Sequence, residues 1–463
     1  MKIVKQKQFY YNILAITIPL ALQSLISFTN NMLDTLMLGF ADKSGGFLSS
    51  ASLAGQPFFI LMIFVFGVSG AGCVLASQYW GKRNIEAVKI IISIIVKISA
   101  AFAAVFAAVI LIIPSGVMSL FTDRADIIKN GADYLSIAGW AYVFFAISGT
   151  LICSIRSVEI VRISAVVSLV SLFINAGLNY ILIFGKFGFP ALGIRGAAIA
   201  TLAARAAELA MVLVYLFFID KRLKFRPKDF LLTNKELFID IMRYGSPVMI
   251  NELMWSIGMS VQAAIFGHIA YSSGDPVAAN TIAGTVQQFS TIIMFGVANA
   301  ATILIGKSVG EGDLEGVKTK ADTFKIIALL VGLTACGVIL LLRNFAVGLY
   351  NLDGEETKTL AREMLVSVAI SVIFISFAAT YIVGILRGAG DTRFCLAVEI
   401  IALWCFSLPI AALFSTVLQL PVPIVLLGMR SDEAMKTIVC TIRLSGKRWI
   451  KSLARDSIEY NGT

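Results

Sequence analysis

Two acidic residues, Asp34 and Glu252, interrupt long apolar runs of this 463-residue chain. An acidic side chain in membrane hydrocarbon costs at least about 2.5–3.5 kcal/mol, so its presence there indicates a function. Asp34 has the chemistry of a coupling site, in which a buried carboxyl group takes up and releases a proton or another cation. Glu252 could attract a positively charged compound into a desolvated cavity. The alternatives are a packing or capping role for Asp34 and a structural hydrogen bond for Glu252.

Polar side chains accompany both acids. Asn175 and Asn179 are four residues apart and therefore share one face of a helix, where their oxygens can coordinate sodium or bind a protonated acid. The candidates for a substrate cavity around Glu252 are Gln23, Asn251, Trp255, Gln262, Gln287 and Gln288. Such a mixture suits a pocket that repacks around different compounds, although core or lipid-facing packing explains most of these residues equally well.

The composition is that of an integral membrane protein. Apolar residues make up 58% of the chain, charged residues only 14%, and the mean hydropathy is +0.87, which excludes a water-soluble protein. The six cysteines are scattered through apolar runs without a CxxC pair, so neither a disulfide framework nor a zinc site is expected. The basic N-terminal segment leads into an apolar stretch without a cleavage pattern, which indicates a retained first span.

Twelve apolar stretches of membrane-spanning length position these residues. They cover residues 12–38, 53–76, 90–113, 134–155, 163–185, 195–219, 240–268, 281–305, 324–342, 364–386, 394–418 and 422–443. Of the 38 Lys and Arg residues, 26 lie in the terminal segments and the even-to-odd connections, and eight lie in the opposite connections. Short cytoplasmic loops are enriched in basic residues, so both termini are predicted to be cytoplasmic. The formal charge of +10 therefore indicates orientation against the inner leaflet rather than nucleic-acid binding.

The two halves of the sequence repeat each other with an offset of 228 to 231 residues. Pro19 corresponds to Pro247 and Arg156 to Arg387. The repeat predicts an all-α polytopic membrane protein with twelve transmembrane helices in two six-helix lobes. The predicted boundaries are 1–220 for the N-terminal lobe, 221–239 for a cytoplasmic linker, 240–443 for the C-terminal lobe and 444–463 for a basic cytoplasmic tail. Two such lobes suit alternating access around a central cavity.

Three segments resemble the MATE family, the multidrug and toxic compound extrusion transporters. They are the stretch from Asn175 to Thr201, the sequence Asp34-Thr-Leu-Met-Leu-Gly39, and the sequence Leu386-Arg-Gly-Ala-Gly-Asp-Thr-Arg393. The resemblance extends over nearly the whole chain. It implies a twelve-helix, two-lobed antiporter that exports organic, often cationic, compounds against an inward flow of protons or sodium.

The resemblance also implies where the cation binds. In the MATE family, the positions matching Asp34, Asn175, Asn179 and Thr201 form a cation site in the N-terminal lobe, and sodium could bind at the first three. Archaeal relatives have an aspartate at the position of Asn179, so this chain has one carboxylate fewer and the choice between proton and sodium stays open. Glu252 lies about one turn earlier than the glutamate of NorM-type members, and the tenth span lacks their aspartate, so a complete second ion site is not expected.

These observations predict a secondary active transporter rather than an enzyme. Gly388-Ala-Gly390-Asp391 spells the short pattern of intramembrane aspartyl proteases, but the second aspartate that their chemistry needs is missing, and a salt-linked hinge fits better. A lipid-linked saccharide flippase of the same wider superfamily is the alternative, although a basic cavity would be expected there. We expect a monomer in a prokaryotic plasma membrane, with drugs or toxic metabolites as substrates, lipid as its surroundings and no resident cofactor beyond H⁺ or Na⁺.

Overall fold

The computed structural model describes residues 3–41, 46–267, 269, 276–348, 355–446 and 448–454, and within these ranges the regular structure is entirely helical. Ten of the described helices are long and apolar enough to cross a membrane by length and composition. The described residues fall into two compact units. The N-unit comprises residues 22–76 and 84–242, and the C-unit comprises residues 3–21, 77–83 and residues from 243 onward. Part of the predicted basic tail, residues 455–463, lies outside the described residues.

The first half of the chain forms seven α-helices. They are α1 (Lys7–Ala41), α2 (Gly46–Gly81), α3 (Ile85–Ile112), the short α4 (Pro114–Ser119), α5 (Ala125–Ser157), α6 (Arg162–Phe184) and α7 (Ile194–Val214), with a π-helical turn at Tyr215–Ile219. Within the N-unit, α5 packs against α3 and α7, and α6 packs against α7. Buried residues such as Leu61, Ala103 and Leu135 form its apolar core. Helix α6 ends at Gly185, whose left-handed backbone (φ +65°) favours glycine.

The second half of the chain forms eight α-helices. They are α8 (Lys235–Gly267), α9 (Pro276–Gly310), α10 (Leu314–Gly348), α11 (Glu355–Ala378), α12 (Thr392–Ile400), α13 (Leu408–Ala412), α14 (Val422–Met429) and α15 (Ser431–Ser445). Helix α11 continues as a π-helix over Ala379–Leu386, and π-helical segments at Ile401–Ser407 and Leu413–Val417 extend α12 and α13. Helix α11 packs against α9, α10 and α14 in the C-unit. Its buried core includes Met364, Leu365 and Val368.

The repeat seen in the sequence recurs in the helix starts. Asn84 accepts a hydrogen bond from the backbone N–H of Ala87 (3.0 Å) at the start of α3. Its counterpart Asp313 accepts one from the N–H of Gly316 (2.9 Å) at the start of α10. A side-chain acceptor here satisfies a backbone donor that the helix itself leaves unpaired. The same capping chemistry therefore begins the third span of each half.

The twelfth span departs from its prediction as one continuous helix. Two shorter helices, α14 and α15, meet at Arg430, so neither has the length of a spanning helix. The carbonyl freed near this break, that of Met429, accepts hydrogen bonds from the side chains of Gln262 (3.2 Å) and Ser407 (2.6 Å). A break inside a membrane-spanning segment is tolerated where neighbouring side chains satisfy the backbone in this way.

Glu399 does not snorkel to the interface as a residue near a span end would. It pairs with the ammonium group of Lys436 (2.9 Å), which is only 2% exposed. Lys436 also contacts Asp432 (2.8 Å) and Glu433 (3.4 Å) in the first turn of α15. A partner on another helix therefore neutralises this acid inside the protein.

The connection predicted as a linker, residues 221–239, is ordered against α3. Asp220 accepts hydrogen bonds from the N–H groups of residues 222–224, and a 3₁₀-helix follows over Pro227–Leu231. Lys89 of α3 pairs with Asp229 (2.9 Å), and Lys97 donates to the carbonyl of Leu232 (2.9 Å). The lobe boundaries derived from the sequence stay a prediction. The compact units do not follow them, because their boundaries fall inside α1, between residues 21 and 22, and inside α2, between residues 76 and 77.

The C-terminal end of α2 packs tightly on α9 within the C-unit. A Cβ atom added at Gly310 would lie 1.9 Å from the carbonyl oxygen of Gln78, and one at Gly81 would lie 2.1 Å from that of Lys307. Only glycine permits so close an approach of two helix backbones. Gly→larger substitutions here would therefore force α2 and α9 apart.

The chain after α15 returns to this end of α2. The amide nitrogen of Gln78 donates to the carbonyls of Gly388 and Lys451 (both 3.3 Å), and its oxygen accepts from the N–H of Leu453 (2.6 Å). Asp391, completely buried, accepts hydrogen bonds from Arg443 (2.9 Å) and from the side chain of Lys451 (2.5 Å). The salt linkage predicted for Asp391 is therefore present, with partners from the C-terminal segment rather than the flanking arginines.

Candidate cation-coupling site

The carboxyl group of Asp34 is held by the two asparagines of α6. Asn179 donates a hydrogen bond from its amide nitrogen to Oδ1 of Asp34 (2.5 Å) and a second to Oδ1 of Asn175 (3.0 Å). Both asparagines are buried, because their four-residue spacing turns them to the same side of α6. The structure thus brings together three of the four residues predicted for the cation site.

Apolar packing surrounds this polar group. Leu38 lies one turn after Asp34 in α1 and forms a buried cluster with Ile183 and Ala197. An ionised carboxylate in such surroundings is stabilised mainly by the hydrogen bonds it accepts. The side-chain oxygen of Asn179 is also buried and, among the described residues, has no hydrogen-bond partner. One acceptor in direct reach of Asp34 is therefore unused.

Thr201 lies in the same region but contacts a different residue. Its side chain is hydrogen-bonded to Tyr134 of α5, and Tyr134 packs against the apolar cluster of Leu38, Ile183 and Ala197. Tyr134 is a site residue that the sequence reasoning missed, because a tyrosine near the start of a span is common and has no neighbour at helical spacing that marks it. Tyr134 on α5 and Thr201 on α7 thus form a second hydrogen-bonded pair, beside the pair of Asp34 on α1 and Asn179 on α6.

Arg205 forms an ion pair with Glu208 on the same helix. Its guanidinium group donates to Oε2 of Glu208 (2.7 Å), three residues further along α7. The other oxygen of Glu208 accepts from the hydroxyl of Ser148 (3.1 Å). The guanidinium lies over the rings of Phe145 (5.1 Å) and Phe58 (5.7 Å), a cation–π arrangement that fixes its position.

The site combines one carboxylate with neutral amide groups. Sodium is a hard cation that needs several oxygen ligands, and Asp34, Asn175 and Asn179 could supply them if the Asn179 amide, which donates its N–H to Asp34 here, turned its oxygen toward the ion. The second carboxylate of the region, Glu208, is engaged by Arg205 and Ser148. Among the described residues no group of three or more acidic, histidine or cysteine side chains could hold a metal ion. A proton, which needs a single oxygen, fits this arrangement.

Two of the predicted cavity residues are bound to arginines at repeat-related positions. Gln23 accepts a hydrogen bond from Arg156 in the N-unit, and Glu252 pairs with Arg387 (2.9 Å) in the C-unit. In each half, the arginine at the end of the fourth span thus contacts the first helix of its own repeat. Glu252 is not an isolated acid in an open cavity, as its sequence context suggested, because Arg387 neutralises it.

The other predicted cavity residues, all in the C-unit, have different surroundings. Gln262 is buried and binds the Met429 carbonyl described above, whereas Trp255 is 40% exposed. Asn251 is buried, and its side-chain oxygen has no partner among the described residues. Gln287 is half-buried and Gln288 is exposed on α9. Three of the predicted cavity residues are therefore accessible: Trp255, Gln287 and Gln288. Three others form contacts within the protein: Gln23, Glu252 and Gln262.

Comparison with known families decides the identity of this fold. The sequence model of the MatE family matches residues 19–181 and again residues 247–413, so the two matches begin at the repeat-related Pro19 and Pro247. The chain belongs to the MatE family. MatE proteins are transporters and not enzymes. The two matches also account for the internal repeat.

Individual MatE relatives cover nearly the full chain. A Thermotoga maritima protein named "Probable multidrug resistance protein NorM" is 26% identical over 457 residues, covering 97% of this chain and 96% of its own. The "Uncharacterized transporter YisQ" of Bacillus subtilis is 25% identical and covers 95% of each chain. A solved structure of the "outward-facing conformation of a multidrug resistance MATE family transporter" superposes with a TM-score of 0.84 at 18% identity, over 97% of this chain and 100% of that one. This likeness confirms the predicted MATE-type helical fold.

Proposed function

We propose that this MatE protein is a secondary active efflux transporter, which exports organic, often cationic, compounds in exchange for cations that enter the cell. Of the two ions predicted, protons and sodium, we propose protons, because Asn179 can hydrogen-bond Asp34 in both protonation states of the carboxyl group. The observation that carries the proposal is the Asp34 carboxylate, half-buried on a helix of membrane-spanning length and hydrogen-bonded by Asn179. Relatives named as multidrug resistance proteins support drugs or toxic metabolites as the substrate class.

Asp34 and Asn179 can stabilise two protonation states. In the ionised state, the Asn179 amide donates its N–H to Oδ1 of Asp34, as seen here. A protonated Asp34 is itself a donor and needs an acceptor. The unpartnered oxygen of Asn179 can become this acceptor if the amide rotates by half a turn. The pair can therefore keep a hydrogen bond in both states while the charge of the site changes.

Ion binding must favour one conformation of the transporter over the other to drive export. A ligand shifts a conformational equilibrium only by its differential affinity for the two states. Neutralisation of Asp34 removes the cost of burying a charge, which is several kcal/mol in hydrocarbon. A conformation that buries Asp34 more deeply would thus be favoured by protonation. Compounds would bind through accessible side chains such as Trp255, Gln287 and Gln288, whose mixed polarity suits varied substrates.

The experiment that tests this function measures drug accumulation in a pump-deficient bacterial host. Cells expressing the wild type should retain less of a fluorescent cationic dye than cells with an empty vector, and Asp34→Asn should abolish the difference. Asp126→Asn is the matched control, because Asp126 is an exposed acid that pairs only with Arg124 at the surface. Equal efflux by wild type and Asp34→Asn would refute the coupling role. No efflux by the wild type would favour the flippase alternative.

A further inference from the structure

The connection between α7 and α8 uses its acidic side chains for contacts inside the protein. Its two acids, Asp220 and Asp229, are both buried. Asp220 accepts hydrogen bonds from the N–H groups of residues 222–224. Asp229 accepts one from the N–H of Arg226 (2.9 Å) and pairs with Lys89 of α3 (2.9 Å). Residues 220–235, all of which the structure describes, therefore present no carboxylate at the surface.

The basic side chains of the same connection are exposed. There are six of them: Lys221, Arg222, Lys224, Arg226, Lys228 and Lys235. Arg222 donates to the carbonyl of Val158 (3.0 Å), which is a neutral group. The ammonium groups of the four lysines form no ion pair or hydrogen bond with any residue that the structure describes. Like charges crowded into one short segment repel each other, so a bound anion would stabilise the folded connection.

The backbone that carries these cations is fixed on the N-unit. Leu223 and Phe225, which alternate with the cations, are almost fully buried, and the ring of Phe225 packs on that of Phe230 (4.9 Å between centroids). The hydroxyl of Ser93 on α3 contacts the carbonyls of Phe230 (2.8 Å) and Leu232 (2.7 Å). A surface whose backbone is ordered in advance loses less conformational entropy when it binds a partner.

Large apolar side chains are exposed beside the cations. Leu231 is 81% exposed and Phe218 is 82% exposed. Residues three apart lie on the same side of a 3₁₀-helix, so Leu231 faces the same way as Lys228 within the helix Pro227–Leu231. Burial of apolar surface is favourable, and at a membrane surface the leucine can enter the acyl region while the ammonium group stays among the headgroups.

We propose that residues 218–235 form a platform that binds the headgroups of anionic phospholipids, in the leaflet predicted above to be the cytoplasmic one. The segment joins two spanning segments and therefore lies at the bilayer surface, where the headgroup phosphates are the nearest anions. An anionic headgroup supplies the negative charge that the surface of the segment lacks, and acyl chains cover Leu231 and Phe218. Zwitterionic headgroups carry no net charge and meet only the second requirement.

The test measures binding of a short-chain anionic lipid to the purified full chain in a neutral detergent. Dioctanoyl phosphatidylglycerol is titrated into the protein while the midpoint temperature of unfolding is followed, because a ligand that binds the folded state stabilises it. Lys224→Gln/Lys228→Gln removes two charges of the platform. Lys129→Gln/Lys186→Gln removes two exposed charges elsewhere in the N-unit and is the matched control.

The expected result is stabilisation of the wild type by phosphatidylglycerol and not by dioctanoyl phosphatidylcholine. Half-saturation of Lys224→Gln/Lys228→Gln should need about 25-fold more phosphatidylglycerol, because each basic residue near an anionic lipid surface contributes about fivefold in affinity. The control variant should match the wild type, and so should Lys224→Arg/Lys228→Arg, which keeps both charges. Added salt should weaken the binding, since the charges are exposed.

Three results would overturn the inference. Wild-type affinity in Lys224→Gln/Lys228→Gln, or an equal loss in the control variant, would show that these particular cations do not bind the headgroup. A wild type that phosphatidylglycerol stabilises no more than phosphatidylcholine does would show that headgroup charge is irrelevant. Equal stabilisation by glycerol phosphate, which has no acyl chain, would identify a soluble phosphate as the ligand. None of these measurements involves efflux, so the proposed transport function stands or falls separately.

Discussion

The hydrogen bonds of Gln78 predict how firmly the C-terminal segment is attached to the end of α2. In Gln78→Leu, a side chain of similar size loses two donated hydrogen bonds and one accepted hydrogen bond. Two of these bonds, to Lys451 and Leu453, reach the C-terminal segment, and at about 1 kcal/mol net each the docked segment should lose about 2 kcal/mol. That value corresponds to an increase of roughly 30-fold in the equilibrium constant for local opening, since each 1.4 kcal/mol is a factor of ten.

Hydrogen–deuterium exchange of residues 448–454 measures this opening directly. The N–H groups of Lys451 and Leu453 are both hydrogen-bonded, to the carbonyl of Ala389 (2.8 Å) and to Gln78 (2.6 Å), and exchange only when the segment opens. Both should exchange about 30-fold faster in Gln78→Leu, with helix cores unchanged. Gln78→Glu is the sharper control. It keeps an oxygen that accepts from the N–H of Leu453, but it replaces the NH₂ group by an oxygen that faces the carbonyls of Gly388 and Lys451.

Two results would refute this reasoning. Wild-type exchange rates in Gln78→Leu would show that the amide does not hold the segment. Wild-type rates in Gln78→Glu would show that the size of the side chain matters and its hydrogen-bond polarity does not.

Two other substitutions test the packing of the C-unit by thermal unfolding in detergent. Gly310→Ala should lower the midpoint temperature, because its methyl group would lie 1.9 Å from a backbone oxygen of α2. Gly337→Ala is the control and should be neutral or stabilising, because no atom lies within 4 Å of the added methyl group. Equal midpoints for the two would contradict the close contact of α2 and α9. Lys436→Met should cost about 3–5 kcal/mol, because it leaves three acids without their counter-charge. Lys358→Met, which removes an exposed ion pair, should cost less than about 1 kcal/mol, and a similar loss in both variants would argue against the buried cluster.

Short-range features of this protein could be predicted from its sequence. Asn175 and Asn179 on one face of α6, and the ion pair of Arg205 with Glu208, follow from helical spacing alone. The internal repeat, visible as matching residues at a nearly constant offset, predicted a two-lobed helical chain, and the resemblance of three segments implied the MATE-type fold that the comparisons confirm. The asparagine face and the ion pair depend only on residues within one or two helical turns, and the repeat depends only on the order of the spans along the chain.

Contacts between distant segments could not be predicted in this way. Glu252 appeared to be a free acid because its partner, Arg387, is 135 residues away. Gln78 and Leu453 are separated by 375 residues, and nothing in the local sequence of either indicates the other. The break at Arg430 was missed because the side chains that satisfy the freed carbonyl come from other helices. Hydrophobic periodicity shows which face of a helix is buried but not which residue covers it.

The central claim is that Asp34 carries the coupling ion, and substrate-driven proton movement measures this most directly. Proteoliposomes containing the wild type and a trapped pH-sensitive dye should show proton movement when a cationic substrate is added on one side. Asp34→Asn should bind the substrate, as measured by tryptophan fluorescence, and move no protons, while Asp126→Asn should match the wild type. Proton movement at the wild-type rate in Asp34→Asn would contradict the account.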